Sequence, residues 1–162
     1  MFETISIISI KAALSKFTLE CNRLVLIFIV AFVIILVSGF FGQILAPLFN
    51  DKATGYTNSN LLQELFVGVI VAPLLETIIS FSIPLFFFRE FHLRKLAGII
   101  TVAILFGLQH YYSLLYLLNT FVIGLIFGGL YYLSLERREN TFVNLVVVHM
   151  LFNLIAISLN RF

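Results

Sequence analysis

The sequence predicts an all-α, polytopic bundle of membrane-spanning helices. Of its 162 residues, 61% are hydrophobic and only 11% are charged, whereas a water-soluble domain has about 25% charged residues. The apolar residues fall into five segments, each close to the roughly 20 residues that a membrane-spanning helix needs. No repeat or linker divides the chain. We therefore predict a single transmembrane domain, residues 1–162, with about five transmembrane helices.

The five apolar segments define the predicted spans. They are Leu24–Leu48, Leu61–Phe88, Leu96–Tyr112, Leu114–Leu135 and Phe142–Leu159. The second is longer than a span requires, which predicts either an interfacial turn around Gln63 and Glu64 or a tilted helix. Pro84 is expected to kink or end that helix. The third and fourth segments meet near Tyr112 and Ser113, which predicts a helical hairpin.

The segment before the first span, Met1–Arg23, alternates apolar residues with Lys11, Lys16 and Glu20. This pattern is typical of an amphipathic helix that lies on the membrane surface. A cleaved signal peptide is the alternative, but the apolar run after Arg23 is too long and has no A-x-A cleavage site. An N-terminal amphipathic segment is therefore predicted.

The basic residues are distributed unequally between the two sides of the predicted bundle. Eight Lys and Arg residues precede the first span or lie in the second-to-third and fourth-to-fifth connections, and only Lys52 and Arg161 lie on the other side. The positive-inside rule then places the N-terminus in the cytoplasm and the C-terminus outside, in the plasma membrane. The apolar spans predict that the chain is surrounded by a lipid bilayer. The basic residues are scattered in short loops, so no nucleic-acid partner is predicted.

Two small features bear on packing and oxidation. Gly124 and Gly128 form a G-x-x-x-G pattern on the fourth span. We expect it to bring helices close together within the chain, in preference to forming a dimer face, and the oligomeric state stays open. Cys21 is the single cysteine, so no intrachain disulfide can form.

Four polar residues within or at the end of apolar segments are candidate site residues: Glu76, His110, His149 and Asn153. A carboxylate in hydrocarbon costs at least a few kcal/mol, about 2.5–3.5 on the mildest scale, so ionisable residues there usually have a function. The spacing of four puts His149 and Asn153 on one helix face. Taken singly, a protonated Glu76 bonded to a neighbouring helix, or His110 in an interfacial aromatic belt, would be a purely structural explanation. Together, the four residues favour a catalytic site.

The motifs around these residues resemble one known family. Ala72-Pro73-Leu74-Leu75-Glu76, then Phe106 and His110 as F-x-x-x-H, then His149 and Asn153 as H-x-x-x-N, are similar to the CPBP (CAAX-protease and bacteriocin-processing, or Abi) family of intramembrane glutamic endopeptidases. The family-like core covers about residues 61–159. The resemblance implies that Glu76 and His110 activate a water, that His149 and Asn153 bind the oxyanion, and that no metal or other cofactor takes part. It also implies a membrane-embedded or membrane-anchored peptide or protein substrate.

The sequence departs from the family pattern at one place. The first motif of the family has a second Glu followed four residues later by Arg, and Thr77 and Phe81 stand there. Two alternatives stay open beside the metal-free peptidase. Glu76, His110 and His149 could hold Zn²⁺, although no H-E-x-x-H helix is present. The chain could also be a non-catalytic bacteriocin-immunity or partner-binding membrane protein of the same fold.

Overall fold

The computed structural model describes residues 12, 15–50 and 60–161. These residues form an all-α bundle without a strand among them. Five apolar helices make up the bundle: α1, Arg23–Leu48; α2, Leu61–Glu90; α3, Lys95–Gln109; α4, Leu114–Glu136; and α5, Thr141–Arg161. The predicted fold class is therefore confirmed.

Four of these helices, α1, α2, α4 and α5, are long and apolar enough to cross a membrane. Helix α3 has only 15 residues, which corresponds to about 22 Å at 1.5 Å per residue, against a hydrocarbon thickness of about 30 Å. The predicted third span, Leu96–Tyr112, is thus wrong in its length, because the helix ends at Gln109. The reason is local: from residue 110 to residue 113 the chain turns into α4.

All three prolines stand just after a widened, π-helical stretch. The stretches are Phe40–Leu45, Leu65–Val71 and Thr77–Ser82, and Pro47, Pro73 and Pro84 each come two residues after one of them. A proline has no N–H, and its ring clashes with the carbonyl one turn earlier. A preceding turn closed by i→i−5 bonds relieves that clash and keeps the helix continuous. Pro84 therefore does not end α2, which runs on to Glu90.

Side-chain caps set where several helices begin. Asn60 accepts a hydrogen bond from the N–H of Leu62, at 3.0 Å, so α2 starts there and Gln63 and Glu64 lie inside its first turn. Ser113 accepts one from the N–H of Tyr116, at 3.1 Å, and starts α4. Such caps satisfy N–H groups that a helix start leaves unpaired.

Helices α3 and α4 form the predicted hairpin. Gly124 approaches Ala103 so closely that an added Cβ would lie 2.7 Å from the Ala103 Cα, and one at Gly128 would lie 3.1 Å from Ile99. The start of α3 is joined to the end of α4 by Lys95, whose Nζ is 2.7 Å from Glu136. The glycines thus serve packing within the chain, as expected.

A partly buried polar cluster joins several helix ends at one end of the bundle. Arg137 pairs with Glu139 at 2.8 Å and donates to the carbonyls of Thr18 and Cys21. The side-chain nitrogen of Asn144 donates to Glu139 at 2.7 Å. Its side-chain oxygen accepts from Arg23 at 2.6 Å. Residues 15–20 are helical and pack at this end of the bundle. Residues 1–11, 13 and 14 of the predicted amphipathic segment, Met1–Arg23, lie outside the described residues.

Candidate active site

Three helices bring the candidate residues to one place. Glu76 ends a single α-helical turn, Ala72–Glu76, that lies between two π-helical stretches of α2. His110 is the first residue after α3, and His149 lies within α5. The widened turn before Ala72–Glu76 rotates this turn relative to a regular helix, so the direction of Glu76 depends on it.

Both histidines approach the same oxygen of Glu76. The Oε2 atom of Glu76 lies 3.5 Å from Nε2 of His149 and 3.8 Å from Nε2 of His110. The side chain of Glu76 is 27% exposed, against 14% for His110 and 3% for His149. The carboxylate is therefore the member of the group that solvent or substrate can reach.

The orientation of His110 follows from its second ring nitrogen. Its Nδ1 lies 2.7 Å from the carbonyl oxygen of Phe106. A carbonyl only accepts, so Nδ1 carries the hydrogen and donates it. In the neutral ring Nε2 then has no hydrogen and carries a lone pair, which faces Glu76. The four-residue spacing between Phe106 and His110 thus has a structural purpose, since the ring bonds back to the preceding turn and packs on the Phe106 ring at 4.5 Å.

His149 lies in an apolar surrounding. Its ring contacts Phe106 with centroids 5.7 Å apart and Phe127 with centroids 5.1 Å apart. Within the described part of the chain its Nδ1 has no hydrogen-bond partner. Its Nε2 lies 3.5 Å from Oε2 of Glu76, and a carboxylate oxygen accepts, so a neutral ring with its hydrogen on Nε2 directs that hydrogen at Glu76. In that tautomer Nε2 of His149 is a donor, in contrast to Nε2 of His110.

Asn153 has a different partner. Its Nδ2 donates to the backbone carbonyl of Gly68, 2.7 Å away, in the first π-helical stretch of α2. Asn153 follows His149 by one turn of α5. The structure thus brings Glu76, His110 and His149 into contact and places Asn153 next to them along α5, bonded to Gly68.

The two positions where the family pattern has a Glu–Arg pair are buried and hold uncharged residues. Thr77 is 1% exposed and Phe81 is fully buried. Phe81 packs on Phe106 at 5.1 Å and on Phe127 at 5.2 Å between ring centroids. These are the two rings that also contact His149, so an aromatic cluster supports this side of the site in place of an ion pair.

No metal-binding group of three or more His, Cys, Asp or Glu side chains is found among residues 12, 15–50 and 60–161. Glu76, His110 and His149 have the donor types that Zn²⁺ accepts, but they are not arranged as such a group.

The turn between α3 and α4 lies beside the site. His110 directly follows α3, whose 15 residues rise about 22 Å. Tyr111 and Tyr112 are 79% and 65% exposed, whereas the side chain of His110 is only 14% exposed. The purely structural belt explanation fits the two tyrosines but not His110.

Comparison with known proteins identifies the family. The model of the Rce1-like family, described as type II CAAX prenyl endopeptidase Rce1-like, matches residues 58–155, more than half of the chain. The chain belongs to this family. All four candidate residues fall inside the matched range. The chain matches no curated protein and no solved structure. The Rce1-like assignment and the apolar helices together make this protein a multi-pass membrane protease of the CAAX type.

Two residues near the site were not among those that the sequence predicted. Gly68 accepts the hydrogen bond of Asn153, and Tyr116 packs its ring 5.7 Å from that of His110. Tyr116 gives no signal in the sequence beyond a place six residues after His110. Gly68 does: it stands five residues before Pro73, at the carbonyl that a proline after an i→i−5 turn leaves without a donor.

Proposed function

We propose that this Rce1-like protein is a glutamic intramembrane endopeptidase, in which Glu76 and His110 activate a water and His149 and Asn153 stabilise the oxyanion. The observation that carries the proposal is the approach of two histidines, from two other helices, to one carboxylate oxygen in an apolar bundle. The group spans three helices, so no local feature of one helix accounts for it.

The hydrogen positions support a water between Glu76 and His110. A carboxylate oxygen and the lone pair of Nε2 both accept, so across 3.8 Å they need a donor between them. A water supplies one hydrogen to each. In this position Glu76 takes a proton as the water oxygen attacks the scissile carbonyl carbon, and His110 orients the water from the other side.

The oxyanion then needs donors. Nε2–H of His149 is one, since its position beside Glu76 puts it next to the attacking water. The amide of Asn153 has two hydrogens, one of which is bonded to Gly68, and the second is the other donor. When the tetrahedral intermediate collapses, the C–N bond breaks and the leaving nitrogen takes the proton held by Glu76. The products are a carboxylic acid and an amine, and the acid then passes its proton to the amine to give a carboxylate and an ammonium group.

The substrate class follows from the position of the site. A partly exposed carboxylate in an apolar helix bundle, near the exposed turn at residues 110–113, suits a peptide bond of a membrane-embedded or membrane-anchored protein. A prenylated C-terminal peptide is one such substrate, given the family description. We further propose that the N-terminus is cytoplasmic and the C-terminus outside, supported by Arg23, Arg137 and Lys95 lying at one end of the bundle.

The test compares two matched substitutions on α2. Glu76→Gln keeps the shape but removes the base, and a general base contributes about 10²- to 10⁴-fold to a rate. Glu90→Gln is the control, since Glu90 pairs with Arg89 at the exposed end of the same helix, where ion pairs contribute little. Each variant is expressed in the same cells, and membrane-peptide cleavage products are quantified by mass spectrometry.

We expect products of the wild type and of Glu90→Gln to be equal, and those of Glu76→Gln to disappear. Hydrolysis of a fluorogenic farnesylated peptide by the purified variants in liposomes should follow the same order. Full activity of Glu76→Gln would refute the proposal. Loss of wild-type activity on chelation, restored by zinc, would favour the zinc mechanism. A cellular function that survives Glu76→Gln would favour a non-catalytic binding protein.

A further inference from the structure

The hydrogen bond between Asn153 and Gly68 has a cause in the backbone of α2. Ala72, the last residue before Pro73, donates its N–H to Val67, five residues back. In this register the carbonyl of Gly68 would accept from residue 73, which is proline and has no N–H. The Gly68 carbonyl is therefore left without a donor from its own helix, and the Asn153 amide at 2.7 Å supplies one.

Gly68 also permits the approach of α5. A Cβ at position 68 would lie 3.2 Å from Cδ1 of Ile157, which is closer than ordinary carbon contacts of about 3.5–4.0 Å. A carbonyl that is shielded from water and left without a donor is destabilising. The carbonyl and the missing side chain of Gly68 thus act together, because the carbonyl accepts from the Asn153 amide and the absent side chain leaves room for Ile157 of the same helix.

The second proline of α2 provides a comparison. Ile83 donates to Ile78 in the same i→i−5 register, and Pro84 follows it. The carbonyl left over there is that of Ile79, and in the described part of the chain no side chain donates to it. Only the Pro73 site is coupled to a residue of the candidate active site.

We infer that Pro73 is a positioning residue for the reaction, which acts through the Gly68 carbonyl to hold the amide of Asn153 in one orientation. This inference rests on the proposed function, in which Asn153 is an oxyanion donor. With one N–H committed to Gly68, the amide cannot rotate freely, and the second N–H keeps a constant direction. A donor fixed before the reaction needs no reorganisation when charge develops.

Pro73→Ala is the decisive substitution, because it gives residue 73 an N–H that can bond to Gly68 and displace Asn153. We expect kcat to fall about 10- to 10²-fold with KM unchanged. This loss is smaller than the loss of kcat when an oxyanion donor is removed altogether, which is about 10²- to 10³-fold. In an Asn153→Ala background, Pro73→Ala should change kcat no further. Pro84→Ala removes the same constraint from the same helix and should leave kcat within about 2-fold of wild type.

A second measurement does not depend on turnover. In micelles, the side-chain amide signals of ¹⁵N-asparagine-labelled protein are recorded, with Asn153 assigned by its loss in Asn153→Ala. We expect the Asn153 signal to move in Pro73→Ala and to stay in place in Pro84→Ala. An unmoved signal in Pro73→Ala, or a kcat loss that adds to that of Asn153→Ala, would overturn the inference. If the signal moves but Asn153→Ala keeps full activity, the coupling stands and the proposed oxyanion role of Asn153 falls.

Discussion

The contact of Gly124 with Ala103 allows a quantitative prediction. In Gly124→Ala the new Cβ would lie 2.7 Å from the Cα of Ala103 and 3.3 Å from its Cβ, whereas carbon atoms pack best at about 3.5–4.0 Å. About 1 Å must be taken up by two helix backbones, which the short connection at residues 110–113 keeps together. Overpacking of this kind costs about 1–3 kcal/mol.

Gly129→Ala is the matched control, because a Cβ there has nothing within 4 Å. Both substitutions replace glycine by alanine in the same helix, so each gains about 0.5–1 kcal/mol of backbone stability. The difference between the two variants therefore isolates the steric cost, about 1–3 kcal/mol.

The assay is unfolding by sodium dodecyl sulfate from mixed micelles, followed by circular dichroism. We expect Gly124→Ala to unfold at lower detergent fraction than Gly129→Ala, and the oligomeric state, measured by light scattering, to be the same in both. Gly124→Ala as stable as Gly129→Ala would refute the packing argument. An oligomer that dissociates only in Gly124→Ala would point to a dimer face.

Two further predictions concern the polar cluster and the altered motif. Burial raises the pKa of Glu139, but hydrogen bonds from Arg137 and Asn144 and the positive charge nearby outweigh it and hold that pKa below its usual value. Its contribution to stability is then complete above the unfolded pKa of about 4.3 and is lost as the pH falls through the folded pKa. Glu139→Gln should be less stable than wild type at pH 7 and should lose less stability on acidification in the same unfolding assay. If its stability fell with pH as that of the wild type does, the Glu139 carboxylate would not be the group responsible. The double variant Thr77→Glu/Phe81→Arg restores the family pair at positions 1% and 0% exposed. It should lose about 3 kcal/mol or more, because a buried aromatic ring is removed and two charges are desolvated; unchanged stability would show that the site accepts the pair.

Much of the fold could be read from the sequence, because apolar runs of spanning length have few other uses. The start of α2 and the hairpin of α3 and α4 were predicted within a few residues. The length of the third span was not. The apolar run continues from Leu96 through Tyr112, and only the turn at residues 110–113, capped by Ser113, ends α3 at Gln109. Composition alone did not place this turn, because tyrosines such as Tyr111 and Tyr112 are also common at the ends of membrane-spanning helices.

For the candidate site, too, part could be predicted from the sequence and part depended on the tertiary structure. The sequence by itself determined that Glu76, His110 and His149 needed partners, because ionisable groups in an apolar segment are costly. The single-domain assignment, the orientation of the termini and the roles of the site residues stay predictions. Only the tertiary structure decided that both histidines approach one carboxylate oxygen, and that Asn153 bonds to Gly68, 85 positions away in the chain. The reason is physical. Hydrogen bonds between helices depend on the rotation and depth of each helix, and in α2 the π-helical turn before Pro73 changes the rotation of the residues that follow it.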